Sequence, residues 1–231
     1  MSGDSLIFED VVCGYGDTMV VRGVTGRVEP GRVLGIVGRN GVGKSTLLKA
    51  LAGFLPVSRG QVRWRSRDLR SVPVHARLSA GLAYAPQENV VFGELTVAEN
   101  LWLHLQDRKA ARYASLLEAF PRLTERLKQR AGLLSGGERK LLSFTRTLGL
   151  QATLALLDEP TEGVQPENID RMARLVRDVK ASGRSLAIVE QNLTFIEQVA
   201  DDVLVLDHGQ CVLAGTMAAL GREALEHHLL V

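Results

Sequence analysis

Four short apolar runs set the strongest limit on what this chain can fold into: Val33 to Val37, Leu154 to Leu157, Ser185 to Val189 and Val203 to Leu206. Their hydrophobicity is continuous rather than alternating, which is what strands covered on both faces of a parallel sheet require. Lys44 to Ala52 after the first run reads as helix, and a helix-like stretch, Glu167 to Lys180, separates the second from the third. Strand and helix in alternation predict the α/β class. Upstream, the β-prone runs Leu6 to Val12 and Met19 to Val28 are punctuated by Gly14-Tyr15-Gly16-Asp17 and Pro30-Gly31, so they too feed strands into a sheet. Gln61 to Trp64 and Leu82 to Ala85 add two short strands. From about Thr96 to Leu150 the pattern turns helical, opening on Thr96-Val97-Ala98-Glu99, a capping box ahead of Leu101, Leu103 and Leu105. This middle reads as a helical insertion, after which the sheet resumes. Met217 to Leu229 reads as a closing helix.

With 231 residues, 45% of them hydrophobic and 23% charged, the chain can bury one large α/β core, and it carries no internal repeat, low-complexity tract or linker. One domain is expected. The formal net charge of +2 comes from scattered residues, so charge gives no indication of nucleic-acid binding. Cys13 and Cys211 make neither a disulfide framework nor a metal cluster, and a reducing cytosol is the simpler setting. The opening MSGDSLIFED has no basic region ahead of an apolar stretch and does not read as a secretory signal. No segment reaches the roughly 18 apolar residues of a membrane span, so the chain reads as soluble, with membrane association through a partner.

The chemistry sits in short glycine clusters. Gly38-Arg39-Asn40-Gly41-Val42-Gly43-Lys44-Ser45-Thr46 follows an apolar strand directly and opens a helix, which is the context in which G-x-x-x-x-G-K-[ST] binds phosphate. The glycines let successive backbone N–H groups converge on phosphate oxygens, and the helix amino terminus adds a partial positive charge. Lys44 is placed to reach the β- and γ-phosphates of a nucleotide, and the Ser45 hydroxyl to ligate Mg²⁺. At the end of a later apolar run stand Asp158 and Glu159. A carboxylate at a strand's carboxyl end can face a cation beside the phosphate loop, as Asp158 does in this reading, while Glu159 orients and deprotonates an attacking water.

Leu134-Ser135-Gly136-Gly137-Glu138 is by itself a helix capping box, S-x-x-E. Its order, after the phosphate loop and ahead of the acidic pair, gives it further meaning. With these three elements in sequence, the chain resembles an ABC ATPase subunit over essentially its whole length. The resemblance implies a P-loop α/β fold with a mixed sheet core, an antiparallel N-terminal β part and an inserted helical subdomain. The core covers about 1–86 and 152–231, and the insertion about 87–151. It also implies that ATP is hydrolysed with Mg²⁺, and that two such subunits pack head to tail. Each ATP then lies between one subunit's phosphate loop and the other's LSGG-type turn, here Ser135, Gly136 and Gly137. Tyr15 matches the aromatic that stacks on adenine, and Gln87 the glutamine that senses Mg²⁺ with Ser45 and Asp158. The stretch from Gln87 to Leu105 matches the segment that meets the membrane partner.

Further runs narrow the resemblance: Leu95-Thr96-Val97-Ala98-Glu99-Asn100-Leu101, Glu162-Gly163-Val164-Gln165-Pro166 and Ile188-Val189-Glu190-Gln191-Asn192. Together they look like the ATP-binding subunit of importers for branched-chain amino acids, or of relatives for urea and short amides. Gln191 takes the place of the switch histidine usual in ABC ATPases. Thr161-Glu162-Gly163 replaces Ser-Ala-Leu-Asp, and Glu88-Asn89-Val90-Val91-Phe92 departs from the Gly/Arg-rich stretch of close relatives. A neutral amide at position 191 offers both donor and acceptor but no titratable charge. A heterodimer with a histidine-bearing ATPase is therefore expected, with a homodimer as the alternative. Transmembrane permeases, and indirectly a solute-binding protein, complete the implied assembly on the cytoplasmic face of the inner (plasma) membrane. A soluble ABC ATPase acting on nucleic acid or ribosomes is the remaining alternative, disfavoured by the single cassette, the lack of a long coiled coil and the near-neutral charge. His75, His104, His208, His227 and His228 fall outside every motif.

Overall fold

The continuous apolar runs do become strands buried on both faces. In the computed structural model, which describes residues 5–88, 90–103, 105 and 110–230, β1 (Leu6–Tyr15) and β2 (Thr18–Val28) form a hairpin turning at Gly16 and Asp17. Next come β3 (Val33–Val37), α1 (Lys44–Ala52), β4 (Arg59–Trp64), β5 (Arg67–Asp68), α2 (Val74–Arg77) and β6 (Leu82–Ala85). The helical segment holds α3 (Val97–Trp102), α4 (Ala114–Ala119), α5 (Pro121–Glu125) and α6 (Gly136–Gly149). The chain closes with β7 (Leu154–Asp158), α7 (Pro166–Ala181), β8 (Ser185–Glu190), α8 (Leu193–Val199), β9 (Asp202–Asp207), β10 (Gln210–Thr216) and α9 (Met217–Leu230). Of the residues noted in the sequence, Met1 to Asp4, Asn89 and His104 lie outside the described residues.

Among the described residues two sheets form. One is antiparallel, in the order β2-β1-β4-β5; the other runs β10-β9-β3-β8-β7-β6, parallel except for the β9–β10 hairpin. Every residue of β3, β7 and β8 is buried. Successive side chains of β3 point into different cores. Leu34 and Ile36 join a cluster with α1 and the antiparallel sheet, around Phe8, Trp64, Leu47 and Leu51. Val33 and Val37 join a second cluster that takes in Leu157, Ile188 and Phe195 and runs on into Tyr113, Phe120 and Phe144 of the helical segment. Each fully buried Leu, Ile or Phe contributes about 1.5–3 kcal/mol, so the two clusters hold the sheet rigid from either side.

The helical expectation over Thr96 to Leu150 resolves into separate helices. The capping box at Thr96 forms as written, and Thr96 then bridges to Arg130. The chain breaks before Pro121, which starts α5 at its first position, where a missing N–H costs nothing. The closing helix is also broken, at Gly221. α8 and β10 have no counterpart in the sequence reading. β10 is an edge strand of half-exposed residues, without the continuous apolar run that marked its neighbours.

Candidate nucleotide-binding site

Strand order fixes the site. β3, β8, β7 and β6 lie side by side and parallel, so the loops at their carboxyl ends share one edge of the sheet. That edge carries Gly38 after β3, Gln191 after β8, Asp158 and Glu159 at the end of β7, and Gln87 after β6. Open α/β sheets bind ligands at such an edge.

The loop that opens at Gly38 ends at Gly43, which caps α1 with φ of 107°, a conformation that a side chain would strain. Lys44, only 4% exposed, donates to the carbonyl oxygens of Gly38 and Arg39, each at 2.9 Å, and stands 3.6 Å from Glu159 Oε1. Burial lowers its pKa, and the carboxylates of Glu159, Asp158 and Glu190 oppose that shift. The Ser45 hydroxyl donates to Asp158 Oδ1 at 2.7 Å, while Tyr84 Oη reaches Asp158 Oδ2 at 3.4 Å. Burial pushes the Asp158 carboxyl above its ordinary value, and the Ser45 hydrogen bond pulls it partly back.

Glu159 occupies the left-handed region, φ 45°, an uncommon conformation for a side-chain-bearing residue and one that concentrates at functional sites. Its carboxylate is gripped by two amides: Gln87 Nε2 donates to Oε2 at 2.9 Å and Gln191 Nε2 to Oε1 at 3.1 Å. Gln191 Nε2 also donates to Asn40 Oδ1 at 2.5 Å, tying the loop after β8 to the phosphate loop. Asn40, Gly41, Gly43, Lys44, Ser45, Thr46, Gln87 and Glu159 line a cleft of about 160 Å³. Arg39 and Val42 belong to the same loop. Tyr15, 49% exposed at the end of β1, presents an open ring to solvent.

The other motif sits elsewhere. Ser135, Gly136 and Gly137 begin α6 and line a separate cleft of about 730 Å³ with Glu162, Gly163 and Gln165. The capping box is real, with Ser135 Oγ accepting from the Glu138 N–H and Glu138 Oε2 from the Ser135 N–H. A side chain at residue 137 would bring a Cβ to 2.6 Å from the Gly163 carbonyl oxygen. Glycine is therefore required there by packing within the chain. The structure thus brings the phosphate loop, Asp158, Glu159, Gln87 and Gln191 together, and leaves the chain's own Ser135 to Gly137 facing a different cleft.

Three neighbours escaped the sequence reading. Lys140, one helical turn past Gly136, donates to the carbonyls of Gln87 (2.8 Å) and Glu159 (3.2 Å) and to Glu162 Oε2 (3.2 Å). Tyr84 and Glu190 stand beside the acidic pair. Only the i, i+4 spacing of Gly136 and Lys140 hints at any of this in one dimension. Among the described residues no group of three His, Cys, Asp or Glu side chains is placed to hold a metal. The oxygen donors at Ser45 and Asp158 suit a hard cation that keeps much of its shell for phosphate and water.

The comparisons with known proteins agree with this geometry. Residues 21–162 match the family model described as ABC transporter. The chain belongs to that family. It is 35% identical over 219 residues to the high-affinity branched-chain amino acid transport ATP-binding protein BraG of Pseudomonas aeruginosa, covering 93% of this chain and 94% of that one. It is 36% identical over 222 residues to the probable branched-chain amino acid transport ATP-binding protein LivF of Archaeoglobus fulgidus, covering 93% and 91%. A crystal structure of a nucleotide-free ATP-binding cassette from an ABC transporter superposes with a TM-score of 0.81 at 26% identity, over 99% of this chain and 96% of the other. The expected ABC ATPase fold is the fold observed, and the chain is an ATP-hydrolysing subunit of the ABC family. None of its helices is long and apolar enough, among the described residues, to cross a membrane. Subunits of this kind work with transmembrane components.

Proposed function

We propose that this chain powers a membrane importer for branched-chain amino acids. The observation that carries the proposal is its likeness, over more than nine tenths of both chains, to two ATP-binding proteins of branched-chain amino acid transport. Gln191 in the loop after β8 supports the same subgroup. Urea and short amides are the alternative cargo. The chain acts as a single domain, with the core at about 1–86 and 152–231 and the helical part at about 87–151; the hydrophobic cluster that continues from the sheet into the helices supports this division as one packed unit.

In this reading the N–H groups of Gly38 to Thr46 and the Lys44 ammonium hold the β- and γ-phosphates of ATP, with the adenine on the exposed ring of Tyr15. Ser45, Asp158 and Gln87 hold Mg²⁺. Their oxygen donors fit that ion, which when bound neutralises charge on the phosphate oxygens. Lys44 leaves its two carbonyl partners for phosphate oxygens, stronger acceptors because they are charged. Glu159 takes a proton from the water whose oxygen bonds to the γ-phosphorus as the bond to the β,γ-bridging oxygen breaks, giving ADP and phosphate. Gln87 and Gln191 fix the Glu159 carboxylate from opposite sides, so the base is oriented before the water arrives.

Ser135, Gly136 and Gly137 act on the ATP of a second ABC ATPase in a head-to-tail dimer, which their separation from the chain's own phosphate loop supports. The partner is a histidine-bearing ATPase, and permeases on the cytoplasmic side of the plasma membrane receive the motion, with a solute-binding protein delivering cargo beyond them. The test is copurification from native membranes with detergent, followed by uptake of labelled leucine or urea in vesicles containing the recovered complex. Leucine uptake that requires ATP and two permeases is expected; recovery with ribosomes or nucleic acid alone would overturn the transport reading.

A further inference from the structure

Beyond the last rung of the β7–β8 ladder, one side chain continues the connection between the strands. Asp158 pairs in register with Val189, and the Glu159 N–H donates to the Val189 carbonyl at 2.9 Å. There the backbones part, β7 into the loop of Thr161 and β8 into the loop of Gln191. Glu190, 3% exposed, spans the gap. Its Oε1 accepts from the Thr161 N–H at 2.8 Å and from the Thr161 hydroxyl at 2.7 Å. Its Oε2 accepts from the N–H groups of Gln191 at 3.1 Å and Asn192 at 3.3 Å.

We propose that Glu190 is a positioning residue for ATP hydrolysis, coupling the loop after the acidic pair to the loop that carries Gln191. The proposal rests on the reading of Glu159 and Gln191 given above. Three observations carry it. Three of the four partners are backbone N–H groups that can only donate and the fourth is a hydroxyl, two on each oxygen, an arrangement that suits a carboxylate better than an amide of the same size. A glutamine here would set its NH₂ against at least one backbone N–H that can only donate, and weaken that half of the clamp. Glu159 lies between the two fixed points, Val189 before it and Thr161 after it, and its left-handed backbone needs such constraint on both sides to persist. Finally, the loop anchored through Gln191 N–H is the one whose side-chain amide grips Glu159 Oε1 and Asn40. Glu190 is not among the groups lining the phosphate cleft, so apart from its charge acting on Lys44 its influence on the chemistry runs through these two loops.

The experiment measures MgATP turnover by the full chain, in the complex it copurifies with, for Glu190→Gln, Gln191→Ala and the double variant, alongside thermal unfolding. Glu190→Gln is expected to lower kcat about tenfold with KM for ATP within about twofold, the pattern of a misplaced reacting group rather than a lost binding contact. Because part of its influence runs through Gln191, the double variant should fall clearly short of the product of the two single losses. Thr161→Val, which removes only the hydroxyl contact, keeps the test open if Glu190→Gln does not fold; it should lower kcat about threefold and combine with Gln191→Ala in the same non-additive way. Wild-type kcat in both Glu190→Gln and Thr161→Val, or losses that multiply with that of Gln191→Ala, overturn the coupling. Wild-type turnover in Gln191→Ala instead overturns the reading of the site on which the coupling rests.

Discussion

Asp158 and Glu159 are adjacent in sequence, both buried, and held by different partners. Asp158 ends a strand, 1% exposed, and burial holds its carboxyl above the ordinary value. A folded value above the unfolded one means that the carboxyl's contribution to stability is fully present below the unfolded value and is lost as pH rises through the folded one. At neutral pH the charged group is a net cost to the nucleotide-free fold. Asp158→Asn is therefore expected to raise the melting temperature of the nucleotide-free chain at pH 7, by about 2–4 °C for each kcal/mol recovered, and to show no such gain in acid. Its MgATP turnover should collapse, so calorimetry and a phosphate-release assay should move in opposite directions. Glu159→Gln keeps the shape of the site but removes the base. Nucleotide affinity should stay within about threefold while turnover falls about 100-fold or more, as equilibrium binding and single-turnover measurements can check.

The elements differ in how openly the sequence announced them. β3, β7 and β8 were legible because strands buried on both faces need unbroken apolar runs, and the loop from Gly38 to Thr46 because phosphate needs glycine, lysine and hydroxyl in fixed order. β10 was not, since an edge strand carries no such run, and neither was α8, seven residues long. The site was legible only in part for a different reason. Lys140 works on partners 19 to 53 residues away, and Glu190 reaches Thr161 29 residues away, distances over which no periodicity speaks. At Ser135 the sequence offered two meanings, helix cap and γ-phosphate contact, and the cap is plainly built. Ser135→Ala should cost about 1 kcal/mol in urea unfolding. If the second meaning also holds, turnover should fall in the assembled complex more than the loss of stability explains, and measuring both on one preparation separates them.

For the whole molecule, the decisive fact is that the cleft at the phosphate loop and the cleft at Ser135 to Gly137 are separate. In the head-to-tail arrangement proposed above, a chain whose two clefts stand apart completes neither ATP site alone. The purified chain is expected to bind ATP but to hydrolyse it at least about tenfold more slowly than the same amount of chain in its complex, because each missing contact to the transferring phosphoryl group is worth a factor of this order or more. Equal rates would count against the head-to-tail arrangement. α6 links the two clefts. It runs about 21 Å, at about 1.5 Å for each of its 14 residues. Ser135 caps its start, Lys140 one turn in is pinned to the carbonyls of Gln87 and Glu159, and Arg146 near its end holds the Val90 carbonyl with its guanidinium 6.0 Å from the exposed ring of Phe92. The loop of Val90 and Phe92, the turn at Ser135 and the backbone of Glu159 are thereby fastened to one stiff element, whose second half is anchored in the core.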